Sequence, residues 1–302
     1  MTHSRKGIAA ALGAYALWGL LPVYWKLLKT VPAPQILGHR VVWSCVFLAG
    51  LVTLRREWPG FRAAARNRRV LGIYTGAAAI LAVNWLIYIW AVNTGHIVET
   101  SLGYFINPLL TVLLSVCFLH EHLRRLQWLA VFLAAAGVGY LTWQHGRVPW
   151  IALALAVSFA IYGLLKKQAP LGALHGLTLE TAVLLLPALV FLAAADARGT
   201  GAFGHTGWQI GWLLAFTGLV TALPLLLFAL AARRVSLSTL GILQYLAPTC
   251  QFLIGVAVYH EPFSRIQLTG FMLIWAALLL YWLDGALRLR RLAWSSANPP
   301  RS

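Results

Sequence analysis

The stretch Pro108-Leu-Leu-Thr-Val-Leu-Leu-Ser-Val-Cys-Phe-Leu-His-Glu121 returns 140 residues later as Pro248-Thr-Cys-Gln-Phe-Leu-Ile-Gly-Val-Ala-Val-Tyr-His-Glu261. Each copy places a proline at the head of an apolar run that ends in His-Glu. The match continues without a gap, since Arg125 and Gln127 recur as Arg265 and Gln267. A repeat of apolar segments predicts a membrane protein that is built from two related halves.

The composition supports a membrane environment along the whole chain. Hydrophobic residues make up 60% of the 302 residues and charged residues only 10%, with a mean hydropathy of +0.76. Soluble domains carry about 25% charged residues. Runs of roughly 20 apolar residues, the length that crosses about 30 Å of hydrocarbon, occur ten times, near Gly7–Leu28, Ala33–Leu54, Val70–Val92, Val98–Leu119, Leu126–Trp143, Pro149–Leu165, Leu174–Ala195, Gln209–Leu230, Ser236–Tyr259 and Ile266–Leu287.

Ten spans divide into two sets of five, and five is an odd number. The second set therefore enters the membrane from the side opposite to the first, so the halves are inverted. We predict an all-α polytopic membrane protein with ten transmembrane helices arranged as two inverted five-helix repeats. The first repeat covers residues 1–145 and the second covers residues 146–302.

The net charge of +17 is explained by where the basic residues fall. With the N-terminus in the cytoplasm, 18 of the 24 Lys and Arg residues lie in cytoplasmic segments and five in outer connections. The positive-inside rule then places both termini in the cytoplasm. The basic residues also favour contact with anionic lipid headgroups. Nucleic-acid binding is a poor explanation of the charge.

Signatures of soluble enzymes and of metal or cofactor sites are missing. The sequence has no phosphate-cradling Gly-rich turn, His-Glu-x-x-His motif, paired cysteine ligands or nucleophile elbow. Cys45, Cys117 and Cys250 all fall inside predicted spans, which argues against a disulfide framework. We therefore expect no cofactor, no metal and no enzyme activity.

Two other functions stay open as alternatives to transport. A membrane enzyme acting on a lipid-borne substrate would use the cluster His120, Glu121 and His122. The recurrence of His-Glu at the opposite side of the membrane argues for an architectural role instead. A sensor or assembly subunit without transport activity is the other alternative.

Several separate segments resemble one family. They are Tyr15-Ala-Leu-Trp-Gly-Leu-Leu-Pro-Val-Tyr-Trp-Lys26, Gly38-His-Arg40, Asn84-Trp-Leu-Ile-Tyr-Ile-Trp-Ala-Val-Asn93, Ser101-Leu-Gly-Tyr-Phe-Ile-Asn-Pro108 and Leu177-Thr-Leu-Glu-Thr181. The chain resembles the RarD-type members of the EamA family, in the drug/metabolite transporter superfamily. The resemblance implies a bacterial inner-membrane permease, and it favours export over import. We expect alternating access, with a cavity between the halves for a small metabolite or an amphipathic drug. Two fused halves make a monomer sufficient, although an oligomer is possible.

Charged residues inside the predicted spans are the first candidates for the site, because each costs about 2.5–3.5 kcal/mol at a helix centre. Arg40 lies in the second span and Glu180 in the seventh, at equivalent positions of the repeat. In the functional interpretation Arg40 holds an anionic group and Glu180 holds a proton or a cationic group. The two side chains either contact each other or point into a central cavity; alternatively, each reaches its nearer interface or makes a structural polar contact. Glu99, near the start of the fourth span, is the second candidate for proton coupling, but a glutamate at a helix N-terminus also has a purely electrostatic explanation.

Aromatic and amide residues within the spans form a second group of candidates. They line a wet cavity or make hydrogen bonds between helices, because lipid offers them no partner; the group is Tyr15, Trp18, Asn84, Tyr88, Tyr104, Asn107, Tyr162 and Gln244. Pro108 and Pro248 each remove a backbone donor and kink a helix, which suits either a gate or static packing. Tryptophans such as Trp85 and Trp90 are assigned to interfacial belts or to lipid-facing packing.

Overall fold

A computed structural model describes residues 2–93, 96–144, 148–258 and 265–297, and within these ranges every regular element is helical. The elements are α1 (Thr2–Leu27), α2 (Ala33–Leu54), α3 (Trp58–Arg66), α4 (Arg68–Asn93), α5 (Ile97–Leu119), α6 (Arg125–Gln144), α7 (Trp150–Gln168), α8 (Ala173–Ala197), α9 (Trp208–Ala232), α10 (Leu237–Leu243), α11 (Leu246–Ala257) and α12 (Arg265–Ala297).

The helices confirm the predicted fold class. In the described part of the chain, nine helices are long and apolar enough to cross a membrane. The remaining predicted span is divided between α10 and α11, which together cover Leu237–Ala257. The predicted range of the second span, Ala33–Leu54, coincides with α2. The chain is therefore a multi-pass membrane protein with ten membrane-crossing segments.

The repeat is visible in where the helices begin. Helices α2, α4, α5 and α6 start at residues 33, 68, 97 and 125, and α8, α9, α10 and α12 start at residues 173, 208, 237 and 265. Each start in the second set lies 140 residues after its counterpart, which is the interval found in the sequence. The predicted boundary between the repeats, at residues 145 and 146, lies outside the described residues.

The two halves interlock instead of forming separate bundles. Helix α1 packs mainly on α9 and α11 of the second half, and its counterpart α7 packs mainly on α4 and α5 of the first half. Likewise α2 packs on α8 and α9, and α6 packs along α12. The most extensive contacts therefore join the two halves and not helices that are consecutive in the chain. A shared core of this kind makes each half depend on the other.

Close approach between helices depends on small residues. A Cβ at Gly218 would lie 2.3 Å from the backbone carbon of Trp43, and the Ser44 hydroxyl donates to the Gly218 carbonyl at 3.1 Å. A Cβ at Gly241 would lie 2.9 Å from the carbonyl oxygen of Pro108. These two positions allow α2 to meet α9 and α5 to meet α10 at backbone distance.

The ninth span is broken at Gln244 and Tyr245, one turn before Pro248. Proline has no N–H and its ring clashes with the carbonyl four residues earlier, which here is that of Gln244. The Gln244 carbonyl instead accepts from Ala247 N at 3.1 Å, a tighter turn than an α-helix makes. Helix α5 runs without a break through Pro108, so the two proline-bearing helices differ in the two halves.

Two glutamates, Glu121 and Glu57, make side-chain contacts at the end of the helix bundle where α10 begins. Glu121 accepts hydrogen bonds from the backbone N–H groups of Leu237 and Ser238, at 2.7 and 2.9 Å, and from the Ser238 hydroxyl at 2.7 Å. It thereby caps α10, as the expected anchoring role of Glu121 requires. The polar stretch after α2 forms the short helix α3, and Glu57 at its start pairs with His175 at 2.9 Å.

Candidate functional site

A central cavity of about 160 Å³ lies between the two halves. Of the 22 described residues that line it, 14 come from the first half, on α1, α2, α4 and α5, and eight come from the second half, on α7, α9 and α11 and at the break before α11. Nine residues predicted from the sequence line it: Tyr15, Trp18, Arg40, Asn84, Tyr88, Tyr104, Asn107, Gln244 and Pro248.

Among the described residues of this lining, Arg40 is the charged one. Its Nε donates to the Thr221 hydroxyl of α9 at 3.0 Å, which fixes the guanidinium from the opposite half. Its Cζ lies 5.0 Å from the ring centroid of Trp25 and 4.6 Å from that of Trp85. Of the carboxylates that the structure describes, none forms an ion pair with Arg40. Within the described part of the chain, the guanidinium is thus held by aromatic faces and one hydroxyl and by no carboxylate.

Trp85 corrects one sequence-based assignment. We assigned it to an interfacial belt or to lipid, but it lines the cavity and stacks on Arg40. Tryptophan is enriched at membrane interfaces, which made the belt the expected place. The contact with Arg40 joins α4 to α2, and no spacing within a single helix reveals it. Thr221, Trp25 and Gln251 are further cavity residues that the sequence did not single out.

The amide side chains both line the cavity and tie helices together. Asn84 donates from Nδ2 to the Leu155 carbonyl and to the Ser158 hydroxyl, both at 2.9 Å, and so joins α4 to α7. Asn107 accepts from the Thr111 hydroxyl at 3.2 Å. The two roles proposed for mid-span amides, cavity lining and hydrogen bonding between helices, therefore coincide in Asn84.

Aromatic rings form the remaining walls. Tyr88 and Tyr104 meet edge to face with ring centroids 6.2 Å apart. Trp18 contacts Phe159 of the other half, with centroids 5.7 Å apart. The hydroxyl of Tyr15 donates to the Leu240 carbonyl at 3.1 Å across the same interface. The cavity therefore combines the Arg40 cation and several polar atoms with extensive aromatic surface, as ligand sites usually do.

Glu180 and Tyr162 lie elsewhere, in a buried ion-pair cluster between α7 and α8. Lys166 Nζ contacts Glu180 Oε1 at 2.8 Å, and the Tyr162 hydroxyl donates to Glu180 Oε2 at 3.1 Å. The side chains of Lys166 and Glu180 are only 3% and 2% exposed. Arg40 and Glu180 thus have different partners. The sequence missed Lys166 because its place at a helix end suggested a basic cytoplasmic connection.

The other predicted site residues are placed as follows. Glu99 belongs to α5, but its side chain lies outside what the structure describes. Pro108 is in the middle of α5, with its carbonyl oxygen against Gly241. Cys45, Cys117 and Cys250 are free thiols. No group of three His, Cys, Asp or Glu side chains that could hold a metal ion occurs among the residues described.

Two inverted five-helix halves around a shared polar and aromatic cavity define the architecture of a membrane transporter. Comparison with known proteins gives the family. The model of the EamA-like transporter family matches residues 5–143 and again residues 148–283, one match for each half. The chain belongs to this family.

The relatives agree over nearly full length. Protein RarD of Streptomyces exfoliatus is 48% identical over 289 residues, covering 96% of this chain and 92% of the relative. Protein RarD of Escherichia coli is 42% identical, with coverage of 96% and 98%. A Bacillus subtilis protein named transporter YojE is 46% identical, with coverage of 92% and 94%. The chain is accordingly a RarD-type membrane transporter.

A solved structure supports the fold at low sequence identity. It is described only as the crystal structure of a protein, and it superposes with a TM-score of 0.67 and 16% sequence identity. The superposition covers 91% of this chain and 96% of that one. Similarity at this level concerns the arrangement of the helices and nothing about the cargo.

Proposed function

We propose that this transporter is a bacterial inner-membrane permease that moves a small organic carboxylate by alternating access. Both termini face the cytoplasm in this proposal, and the family resemblance favours export. The observation that carries it is the state of Arg40, a half-buried cation in the shared cavity that forms no ion pair with a carboxylate among the described residues.

The electrostatic argument rests on a contrast within the chain. A charge inside a membrane protein is costly, so it is normally paired or functional. Lys166 is a paired charge, because the Glu180 carboxylate neutralises it at 2.8 Å. Arg40 has aromatic rings and a hydroxyl instead. With Nε bound to Thr221, its two Nη atoms supply the pair of parallel donors that suits a carboxylate.

The walls of the cavity favour a particular kind of carboxylate. Trp18, Tyr88 and Phe159 offer ring faces and edges for an apolar or aromatic portion. Gln244 and Gln251 add amides that can bond a further polar group. An engineered protein cavity of about 150 Å³ takes a benzene molecule, so a cavity of about 160 Å³ suits one small cargo. These features support a small amphipathic metabolite more than a large drug.

Coupling to protons stays a prediction. Glu180 remains the first proposed proton carrier, and its carboxylate contacts Lys166 Nζ at 2.8 Å in the arrangement described here. Glu99 remains the second. The enzyme alternative loses support from Glu121, whose oxygens are bound to the start of α10 and not directed at a cleft.

The test is ligand-dependent thermal stability of the protein purified in detergent. Short-chain and aromatic carboxylates are compared with the amines and amides of the same carbon skeleton. A ligand at about 100 times its dissociation constant adds roughly 2.7 kcal/mol to the stability of the bound state. We expect stabilisation by carboxylates only, and its loss in Arg40→Gln.

The matched control is Arg198→Gln, which removes an exposed arginine outside the cavity and should leave the stabilisation intact. Stabilisation by amines or amides as strong as that by carboxylates would contradict the anion site. Undiminished carboxylate binding in Arg40→Gln would show that Arg40 is not part of the anion site.

A further inference from the structure

The cavity has a symmetric middle. Five of its lining positions in the first half recur as lining positions 140 residues later; three of these pairs are Tyr15 with Leu155, Leu81 with Thr221, and Tyr104 with Gln244. Inverted symmetry exchanges the members of each pair across the membrane midplane. These pairs therefore mark the part of the cavity that both halves share equally.

Away from this middle, the cavity extends to one side of the membrane. Pro22 and Trp25 lie near the end of α1, Arg40 near the start of α2, Tyr88 near the end of α4 and Thr100 near the start of α5. Because the chain reverses direction between consecutive spans, these five positions lie towards the same face. We call this part of the cavity the Arg40 end.

The equivalent positions of the second half are closed. They are Tyr162, Leu165, Glu180, Phe228 and Leu240, near the end of α7, the start of α8, the end of α9 and the start of α10. None of them is among the residues that line the cavity. Tyr162, Phe228 and Leu240 belong to one buried core cluster, against which Leu165 packs, and Glu180 is bound to Tyr162. We call this region the Glu180 end.

Two related halves therefore hold two different arrangements of the same fold. The half that is open at its end has the continuous helix α5, and the half that is closed has the broken pair α10 and α11. If the halves exchange arrangements, the shared middle persists, the Arg40 end closes and the Glu180 end opens. The two states are related by the symmetry of the chain, so neither needs a new fold.

We propose that Tyr162, Leu165, Glu180, Phe228 and Leu240 form a second chamber, which opens to the opposite face of the membrane in the other transport state. In the present state the Lys166–Glu180 ion pair and the Tyr162 hydroxyl hold this chamber closed. The same small carboxylate occupies both chambers in turn. This inference rests on the proposed alternating-access function and identifies the residues of its second state.

The charges at the two ends then have distinct effects on the cargo. At the Arg40 end the guanidinium, which pairs with none of the carboxylates that the structure describes, attracts an anion, whereas at the Glu180 end the lysine already has a carboxylate partner. An anionic cargo is therefore held more weakly in the second chamber, which favours its release there. The difference in chemistry between equivalent positions follows from Arg40 and Glu180 being repeat counterparts of opposite charge.

The test measures the accessibility of single cysteines to a membrane-impermeant maleimide in right-side-out and inside-out vesicles. The background replaces Cys45, Cys117 and Cys250 with alanine. Trp25→Cys reports on the Arg40 end, and Leu240→Cys, a position with 0% exposure, reports on the Glu180 end. Leu177→Cys is the matched control, because Leu177 is 1% exposed in the same core cluster but its counterpart Leu37 does not line the cavity.

We then disrupt the closure with the double variant Lys166→Met, Glu180→Met, and more mildly with Tyr162→Phe, which keeps the ion pair. Labelling of Leu240→Cys should rise from one face while labelling of Trp25→Cys falls from the other face. Coupling of this kind between sites is typically 5- to 150-fold, so about fivefold is the smallest effect expected of the double variant. Tyr162→Phe should shift both readouts in the same directions by less. The variant Asp284→Asn, which breaks the Arg124–Asp284 pair elsewhere, should shift neither.

Reciprocal changes at the two ends would support the second chamber. A rise at both ends, or labelling of Leu177→Cys equal to that of Leu240→Cys, would indicate general loosening and overturn the proposal. Failure of Leu240→Cys to label in every background, with Tyr162→Phe folded, would also overturn it. The readout needs no cargo, so a failure of carboxylate binding in the stability assay contradicts the proposed function without altering these labels.

Discussion

Arg40 derives its position from aromatic contacts that can be weakened without removing its charge. Its guanidinium lies between Trp25 and Trp85, with Trp85 the nearer ring at 4.6 Å. A cation over an aromatic face gains about 0.5–2 kcal/mol, with the larger values in desolvated sites. Trp85→Leu inserts the residue that the second half carries at the equivalent position, Leu225. We expect it to weaken carboxylate binding by about two- to thirtyfold, since 1.4 kcal/mol is a factor of ten.

The measurement is the concentration of carboxylate that gives half-maximal thermal stabilisation. Trp212→Leu is the matched control, because Trp212 is 70% exposed on the surface of α9 and outside the cavity. Equal affinities for Trp85→Leu and the unaltered protein would show that stacking does not position the guanidinium for binding.

Glu180 has a second testable consequence, which concerns stability. Removing one partner of a buried ion pair leaves an uncompensated charge and costs about 3–5 kcal/mol, whereas replacing both partners by apolar residues is often neutral. We expect Glu180→Gln to lower the free energy of unfolding in detergent by about this amount. The double variant Lys166→Met, Glu180→Met should recover most of the loss.

Chemical unfolding followed by tryptophan fluorescence measures the difference. Asp284→Asn provides the comparison, because its partner Arg124 is 40% exposed and half-exposed pairs contribute only about 0–1 kcal/mol. A double variant as unstable as Glu180→Gln would mean that the lost stability comes from packing and not from the unpaired lysine.

The residues show where sequence reasoning succeeds and where it stops. Arg40 was identified because a charge within an apolar run is expensive whatever its partners are. Lys166 was missed, because a lysine at a helix end looks like part of a basic connection until its carboxylate partner on the next helix is located. Trp85 was assigned to the wrong environment for the same reason: its partner is on another helix.

Helix α10 depends on a cap that comes from far away in the sequence. Glu121 accepts from two backbone N–H groups and one hydroxyl at its start, across 116 and 117 residues of chain. Loss of an N-terminal cap costs about 0.5–2 kcal/mol, and the negative charge adds a favourable interaction with the helix dipole. We expect Glu121→Ala to lower the free energy of unfolding within this range and Glu121→Gln to lower it less.

The comparison variant is Glu57→Ala. Glu57 precedes helix α3, where it makes no capping hydrogen bond, and it contacts His175 at the surface. Chemical unfolding of the three variants in detergent provides the measurement. If Glu57→Ala and Glu121→Ala lower the free energy of unfolding equally, the hydrogen bonds of Glu121 to α10 contribute no more stability than the surface contact of Glu57.

The elements themselves were largely predictable, because a membrane span must be long, apolar and helical. The predicted second span coincides with α2, and the 140-residue repeat reappears in four pairs of helix starts. The ninth span was predicted as one helix because its apolar run is continuous. Its division into α10 and α11 reflects Pro248 together with the close approach of Gly241 to the Pro108 carbonyl. The short helix α3 was missed because it has only nine residues and lies in a basic connection between two spans.

The whole molecule carries a prediction about orientation. An even number of spans places both termini on one side, and the basic residues assign that side to the cytoplasm. Green fluorescent protein fused to either terminus should therefore fluoresce, and alkaline phosphatase inserted in the connection between α8 and α9 should be active. The connection after α2 is the internal control, where inserted phosphatase should stay inactive. The opposite pattern of activities would contradict the orientation.

The interlocked halves also explain which properties of the molecule lie beyond its sequence pattern. Inversion follows from an odd number of spans in each repeat, so the sequence was sufficient for it. The extensive contacts of α1 with α9 and of α7 with α5 join residues far apart in the chain, such as Tyr15 with Phe228 and Gly103 with Ala152, and apolar runs alone do not specify such partners. The cavity is a product of these contacts, so the sequence identified some of its lining residues and missed others, such as Thr221 and Gln251.

The measurement that decides whether this molecule moves anions through the Arg40 cavity is flux in proteoliposomes. Vesicles are loaded with the carboxylate that gives the largest thermal stabilisation. Its exchange for the radiolabelled form outside is measured as the uptake of label. Loss of a charge-assisted hydrogen bond costs about 1.5–3 kcal/mol, so Arg40→Gln should slow exchange at subsaturating cargo by about 10- to 100-fold. Arg198→Gln should exchange at the normal rate. Equal exchange by Arg40→Gln and the unaltered protein, or no exchange above that of empty liposomes, would contradict the proposal that this molecule moves anions through the Arg40 cavity.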